Sequence, residues 1–139
     1  MVNKKRKCLM DLSELLDNLT INQIKEVKLA KYHRSYSEEM RNIMADLELI
    51  IKKKRVKLTA RLIRLLVVLS QINLHIWQAK EIMINEPSRF KESMKLGHQL
   101  NGIRNQVKNL IIEEVSSGDS VRKKTNINTD NLKGWQISL

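Results

Sequence analysis

The sequence predicts an all-α protein, an antiparallel bundle of three to four helices in which a long third helix is central. Apolar residues recur at helical spacing in four successive segments of the 139-residue chain. The chain also contains only four Gly and one Pro, which are too few turn residues for a sheet protein with many hairpins. A chain of this length can bury a core without disulfides or metals.

The first helix is predicted at about 12–33. Asp11 precedes it as an N-cap, and Glu14 follows three positions later, as in a capping box. One face of this helix carries the apolar residues Leu12, Leu16, Leu19, Val27 and Ala30.

A second capping box, Ser35 with Glu38, predicts the start of the second helix. This helix is expected to end near the cations at 52–55, which suit a helix C-terminus. No Gly or Pro marks that end, so one continuous second and third helix is the alternative.

The third helix is predicted at about 59–86 and is apolar over more than half of its circumference, which is typical of the central helix of a bundle. Pro87 ends it. Ser88 is the expected cap of a fourth helix at about 88–116. The resulting domain plan is a basic N-terminal arm at 1–10, a helical bundle domain at 11–117 and a mostly flexible, basic tail at 118–139.

Polar residues lie where the helical pattern expects apolar ones. Asn73 falls within the apolar sector of the third helix, and Trp77 lies at the edge of that sector. A buried amide needs hydrogen-bond partners, and the fourth helix offers His98, Asn101 and Arg104. Two interpretations stay open: an internal polar network that fixes helix register, or a pocket for a small molecule or sugar phosphate.

Three motifs occur in order along the chain: Asp17-Asn18-Leu19-Thr20-Ile21-x-x-Ile24-Lys25, Ile72-Asn73-Leu74-x-x-Trp77 and Leu100-Asn101-x-x-Arg104-x-x-x-Lys108. Together they resemble an uncharacterised bacterial helical family encoded among lipopolysaccharide and surface-polysaccharide biosynthesis genes. The chain departs from the family pattern after the tryptophan, where an acidic pair is replaced by Gln78, Ala79 and Lys80 before Glu81. The resemblance implies a cytoplasmic helical bundle and no particular reaction.

The sequence carries no motif for catalysis, metal binding or cofactor binding. The three histidines form no metal-binding spacing, and no phosphate-binding Gly-rich loop is present. The sequence therefore predicts no catalytic residue, metal or cofactor. A single cysteine, Cys8, leaves no internal disulfide, which favours a cytoplasmic location. The most apolar run, at 62–69, is shorter than a membrane span requires, so no transmembrane segment is expected.

Positive charge is concentrated between the second and third helices, in a chain of net charge +11. We call these cations the basic segment: Lys52, Lys53, Lys54, Arg55, Lys57, Arg61 and Arg64. Such a cluster predicts contact with an anionic partner, either nucleic acid or lipid headgroups. A solvated surface in a lysine-rich composition is the alternative.

The leading prediction of function is a small, non-enzymatic accessory or interaction protein with a protein partner, linked by the resemblance to surface-polysaccharide biosynthesis. A nucleic-acid-binding or other polyanion-binding protein that uses the basic segment is the second prediction. The third is a ligand-binding or enzymatic bundle with a polar pocket between the third and fourth helices.

Overall fold

The computed structural model describes residues 10–115 together with Ile137 and Ser138. Its helices are α1 (Leu12–Lys28), α2 (His33–Lys53), α3 (Ala60–Asn85) and α4 (Phe90–Val115). Two short 3₁₀ helices, Ala30–Tyr32 and Pro87–Arg89, precede α2 and α4. No strand occurs in this part of the chain, so the predicted all-α class with four helices is confirmed.

The chain folds as two compact units that divide between Leu58 and Thr59. In the first unit α1 packs on α2, and in the second α3 packs on α4. The connection within each unit is too short for anything but a reversal, so the two helices of each hairpin are antiparallel. The single bundle domain at 11–117 and the central position of α3 in it stay predictions. The predicted N-terminal arm and C-terminal tail lie outside the described residues, apart from Met10, Ile137 and Ser138.

The start of α1 is the one predicted from the sequence. The Asp11 carboxylate accepts hydrogen bonds from the Glu14 N–H at 3.0 Å and from the Ser13 hydroxyl at 2.7 Å. This cap satisfies one of the donors that a helix N-terminus leaves without an intrahelical partner. Asp11 therefore fixes the first residue of α1.

The predicted end and apolar face of the first helix are partly wrong. The helix ends at Lys28 rather than near residue 33. Leu12 and Leu16 are buried as expected, but Val27 is 70% exposed in the last turn. Leu15, which the predicted face omitted, is fully buried. The buried face of α1 is consequently broader at its N-terminal end than the apolar pattern indicated.

The two serine caps predicted for the second and fourth helices are wrong. Ser35 lies inside α2, and Ser88 lies inside a 3₁₀ helix. In each case a 3₁₀ turn runs directly into the α-helix, and its carbonyls accept the N–H groups of His33 and Phe90. Because backbone oxygens already satisfy these donors, no side-chain cap is needed.

A left-handed residue separates α2 from α3, so the alternative of one continuous helix is wrong. Arg55 has a φ of 50°. Its N–H bonds the Lys52 carbonyl at 3.3 Å, and the Val56 N–H bonds the Ile51 carbonyl at 3.0 Å. This pair of bonds is the Schellman motif, in which glycine usually occupies the left-handed position. Here an arginine occupies it.

The second hairpin is held at its open end by polar contacts. Thr59 caps α3 by accepting the Leu62 N–H at 3.1 Å, and its hydroxyl donates to Glu114 at 2.8 Å. Arg61 lies 3.6 Å from the same carboxylate. These contacts join the first turn of α3 to the last turn of α4. The predicted start near residue 59 and end before Pro87 agree with the observed α3.

The α3 helix is long and apolar enough to cross a membrane by length and composition, with a window of mean hydropathy 1.3 that is 44% buried. The core helix of a soluble protein has the same composition. Leu65, Leu69 and Ile72 of α3 are fully buried, as in such a core. The absence of a transmembrane segment stays a prediction.

Candidate functional site

A cleft of about 320 Å³ lies between α3 and α4, near the end where Pro87–Arg89 joins them. It is open to solvent along one side. Its walls are formed by Ile76, Ala79, Lys80, Met83, Ser93, Met94, Gly97, His98, Asn101 and Arg104. The volume is at the lower end of the range for small-molecule sites, about 300–1,000 Å³.

The structure brings together three of the five residues predicted for a polar network or ligand site. His98, Asn101 and Arg104 all line the cleft. Asn73 is buried within α3 at 4% exposure, as the sequence predicted, but it is not among the lining residues. Coupling between Asn73 and the polar residues of α4 stays a prediction.

Trp77 does not line the cleft. Its ring nitrogen binds a residue of α3 and not one of α4. The indole N–H donates to the Glu81 carboxylate at 2.6 Å, one turn further along α3. The i,i+4 spacing of these residues is a signal that sequence reasoning could have used. The predicted role of Trp77 in a polar network or ligand site stays a prediction.

The side chains that line the cleft include positively charged groups but no carboxylate. Lys80 is exposed on α3, and Arg104 is half-buried on α4. The exposed His98 adds a ring N–H donor. No Asp or Glu is among the lining residues. A cleft of this kind favours an anionic ligand over a neutral or cationic one.

Gly97 is one of the lining residues that the sequence analysis did not single out. A Cβ atom at this position would meet no side chain or neighbouring helix within 4 Å, so helix packing does not require a glycine. A glycine inside a helix costs roughly 1 kcal/mol relative to alanine. Its effect here is to leave the wall of the cleft open.

The helical pattern of the fourth helix predicts that Lys108 points away from the core, but this lysine is buried. It is only 2% exposed. Helical spacing from Leu100, Ile103 and Val107 predicts an apolar stripe on this helix that includes Ile111 but not Ile112, and both isoleucines are buried. On a helix, position 108 lies between these two on the same side, so the buried sector is wide enough to include the lysine.

The chemistry of the cleft points to binding rather than to metal coordination. The described residues contain no group of three or more His, Cys, Asp or Glu side chains that could hold an ion. What the cleft offers chemically is charge, hydrogen-bond donors and methionine side chains. These groups suit binding.

All seven cations of the basic segment are exposed. Lys52 lies 3.8 Å from Glu48, one turn earlier on α2, and Arg61 contacts Glu114. The other five form no ion pair with any described residue. Four cations that surround the end of α2 therefore face solvent: Lys53, Lys54, Arg55 and Lys57.

Two tyrosines lie near lysines, but far from these cations. The Lys25 ammonium is 5.8 Å from the centre of the Tyr36 ring, and Lys31 is 5.8 Å from that of Tyr32. Both rings lie at the start of α2, whereas the four cations follow its end. At ~1.5 Å per residue the separation from Tyr36 to Lys53 is about 25 Å along the helix. The tyrosines cannot serve as a base-stacking platform beside the four cations.

No known protein family, curated protein or solved structure matches this chain significantly. The resemblance to the family of surface-polysaccharide gene clusters therefore stays a prediction.

Proposed function

We propose that the protein is a non-enzymatic binding module whose basic turn contacts an anionic membrane surface. The basic turn comprises Lys53, Lys54, Arg55, Lys57 and Leu58. One observation carries the proposal: four exposed cations, none of them in an ion pair with a described residue, come directly before a leucine that is 79% exposed.

Helix electrostatics account for only part of this charge. Lys52 and Lys53 lie in the last turn of α2, where cations interact favourably with the helix dipole. Lys54, Arg55 and Lys57 lie beyond that turn. Like charges this close repel one another in the absence of a partner, so a partner of opposite charge would relieve the repulsion.

Leu58 favours lipid over nucleic acid as that partner. Cations attract anionic headgroups, and an exposed apolar side chain among them can insert at the level of the acyl chains. Sequence-tolerant binding of single-stranded nucleic acid relies on aromatic side chains that stack on bases, and the basic turn contains none.

The expected affinity is modest. Each cation near an anionic surface contributes about 1 kcal/mol, so the four together contribute about 4 kcal/mol, with a smaller addition from Leu58. A free energy of this size corresponds to a dissociation constant of about 1 mM or somewhat below. Binding should be reversible and should weaken as salt screens the charges.

Co-sedimentation with vesicles tests the proposal. The protein should bind vesicles of equal parts phosphatidylglycerol and phosphatidylcholine, and not vesicles of phosphatidylcholine alone. Replacing Lys53, Lys54 and Lys57 by Gln removes three charges and should weaken binding about 100-fold, at ~1 kcal/mol per charge. Leu58→Ser should also weaken binding to the vesicles, without changing the dependence of that binding on salt.

A matched triple variant controls for net charge. Arg41, Lys91 and Lys95 are exposed cations elsewhere in the described part of the chain, and their replacement by Gln also removes three charges. This control should bind vesicles nearly as well as the unmodified protein. Equal weakening by both triple variants would refute the proposal. So would tighter binding to a single-stranded RNA oligonucleotide that Leu58→Ser leaves unchanged.

A link to surface-polysaccharide biosynthesis is the remaining part of the predicted function. It rests only on the resemblance. The genomic neighbourhood tests it: glycosyltransferase genes beside this one would support the link.

A further inference from the structure

We propose that the cleft between α3 and α4 binds a small amphipathic anion, a phosphate monoester or a carboxylate that carries a short apolar chain. This site is separate from the basic turn and does not depend on the proposed membrane contact. Three features of the cleft support it: its charge, its methionines and the glycine in its wall.

The charge of the cleft comes from both helices. Lys80 on α3 is exposed at the wall, and Arg104 lines the cleft from α4. His98, exposed on α4, adds a ring N–H that can donate to an anion. Because no lining residue is acidic, an anion would meet attraction on both sides. Asn101 adds an amide that can donate to a phosphate or carboxylate oxygen.

The apolar part of the ligand has its own surface. Met83 and Met94 line the cleft, and Met94 is exposed. Met83 also lines a second depression, together with Pro87 and the exposed Phe90. Methionine side chains adapt to irregular apolar partners, so a short alkyl chain could extend from the charged end of the cleft across Met83.

Gly97 provides the space. The helix would be more stable with alanine at this position, and no neighbouring atom prevents a side chain. A larger residue would instead fill the cleft that the glycine leaves open. This arrangement allows the ligand site to be blocked without disturbing the packing of α3 on α4.

Calorimetric titration with n-hexyl phosphate tests the site, with inorganic phosphate and 1-hexanol as partial ligands. Hexyl phosphate should bind at least about tenfold more tightly than either, because only it engages both parts of the cleft. Hexanoate should bind less tightly than hexyl phosphate if the site prefers phosphate, and equally if it accepts either anion. Binding of hexyl phosphate no tighter than that of inorganic phosphate would overturn the proposal.

Three variants locate the binding. Gly97→Leu should abolish it without lowering the melting temperature, since the side chain enters open space on a helix that it stabilises. Lys80→Gln should weaken it about fivefold to tenfold, a typical effect of losing one charged contact. Lys95→Gln, an exposed lysine of α4 that does not line the cleft, should leave it unchanged. Binding that survives Gly97→Leu, or that weakens equally in both lysine variants, would show that the cleft is not the site.

Discussion

Replacing Arg55 by glycine should stabilise the protein, although it deletes a long side chain at the end of a helix. Arg55 has a φ of 50°, in the left-handed region where a Cβ atom crowds the backbone. The Schellman bonds of the motif involve only backbone groups of residues 51–56, so a glycine retains them. The substitution therefore removes strain without removing a hydrogen bond.

The magnitude follows from two opposing terms. A residue other than glycine in the left-handed conformation costs roughly 1–2 kcal/mol. Glycine also lowers the free energy of unfolding by about 0.4–1 kcal/mol, because it makes the unfolded chain more flexible. The net gain in the free energy of unfolding should be about 0.5–1 kcal/mol. For a chain of this size it corresponds to a rise in melting temperature of about 2–3 °C.

Arg55→Gly also removes a positive charge from the basic turn. A control must separate this effect on stability from the relief of backbone strain. Arg55→Gln removes the same charge but keeps the Cβ atom. Urea denaturation of both variants at low and at high salt distinguishes the terms, because screening suppresses only the charge effect. Arg55→Gly should exceed Arg55→Gln by about 0.5–1 kcal/mol at either salt concentration. Lys53→Gly, inside α2, should instead destabilise by roughly 1 kcal/mol. Equal stability of the glycine and glutamine variants would refute the argument from backbone strain.

Three further predictions concern stability. Thr59→Ala removes the N-cap of α3 and should lower the free energy of unfolding by about 1–2 kcal/mol, whereas Thr59→Ser should recover most of the loss in the same urea titration. Leu15→Ala should cost about 2–5 kcal/mol and Val27→Lys less than about 0.5 kcal/mol, so similar thermal shifts for the two would contradict the observed face of α1. A double-mutant cycle of Asn73→Ala with Asn101→Ala should show coupling of about 0.5–3 kcal/mol, and additive energies would exclude a polar network between these positions.

The sequence predicted the ends of helices correctly where a side chain determines the end. Asp11 caps α1 as expected, and α3 ends before Pro87. The starts of α2 and α4 were not predictable in the same way, because 3₁₀ turns satisfy their N–H groups with backbone carbonyls. Ser35 and Ser88 had the right composition for caps, but the backbone had already supplied the acceptors.

The end of α2 at Lys53 agrees with the end predicted near the cations at 52–55. The left-handed turn that follows was not predictable, because arginine carries no signal for that conformation. Glycine or asparagine at position 55 would have revealed it. Burial of Lys108 was likewise hidden, since the width of a buried sector depends on what packs against the helix and not on the residue alone. The candidate cleft was predicted in part. The sequence indicated His98, Asn101 and Arg104, because they are polar residues beside an apolar stripe. Gly97 could not be predicted, because its effect depends on the open space beside it in the folded protein.

The short connections within the hairpins have a consequence for the order in which the chain folds. Four residues, 29–32, join α1 to α2, and four, 86–89, join α3 to α4. Closing so short a loop costs little chain entropy, and contacts between consecutive helices correspond to the low contact order of rapidly folding helical proteins. Each hairpin should therefore form early and on its own, within microseconds to milliseconds. In native-state hydrogen exchange, the amides of α1 and α2 should open together as one cooperative group, and those of α3 and α4 as another.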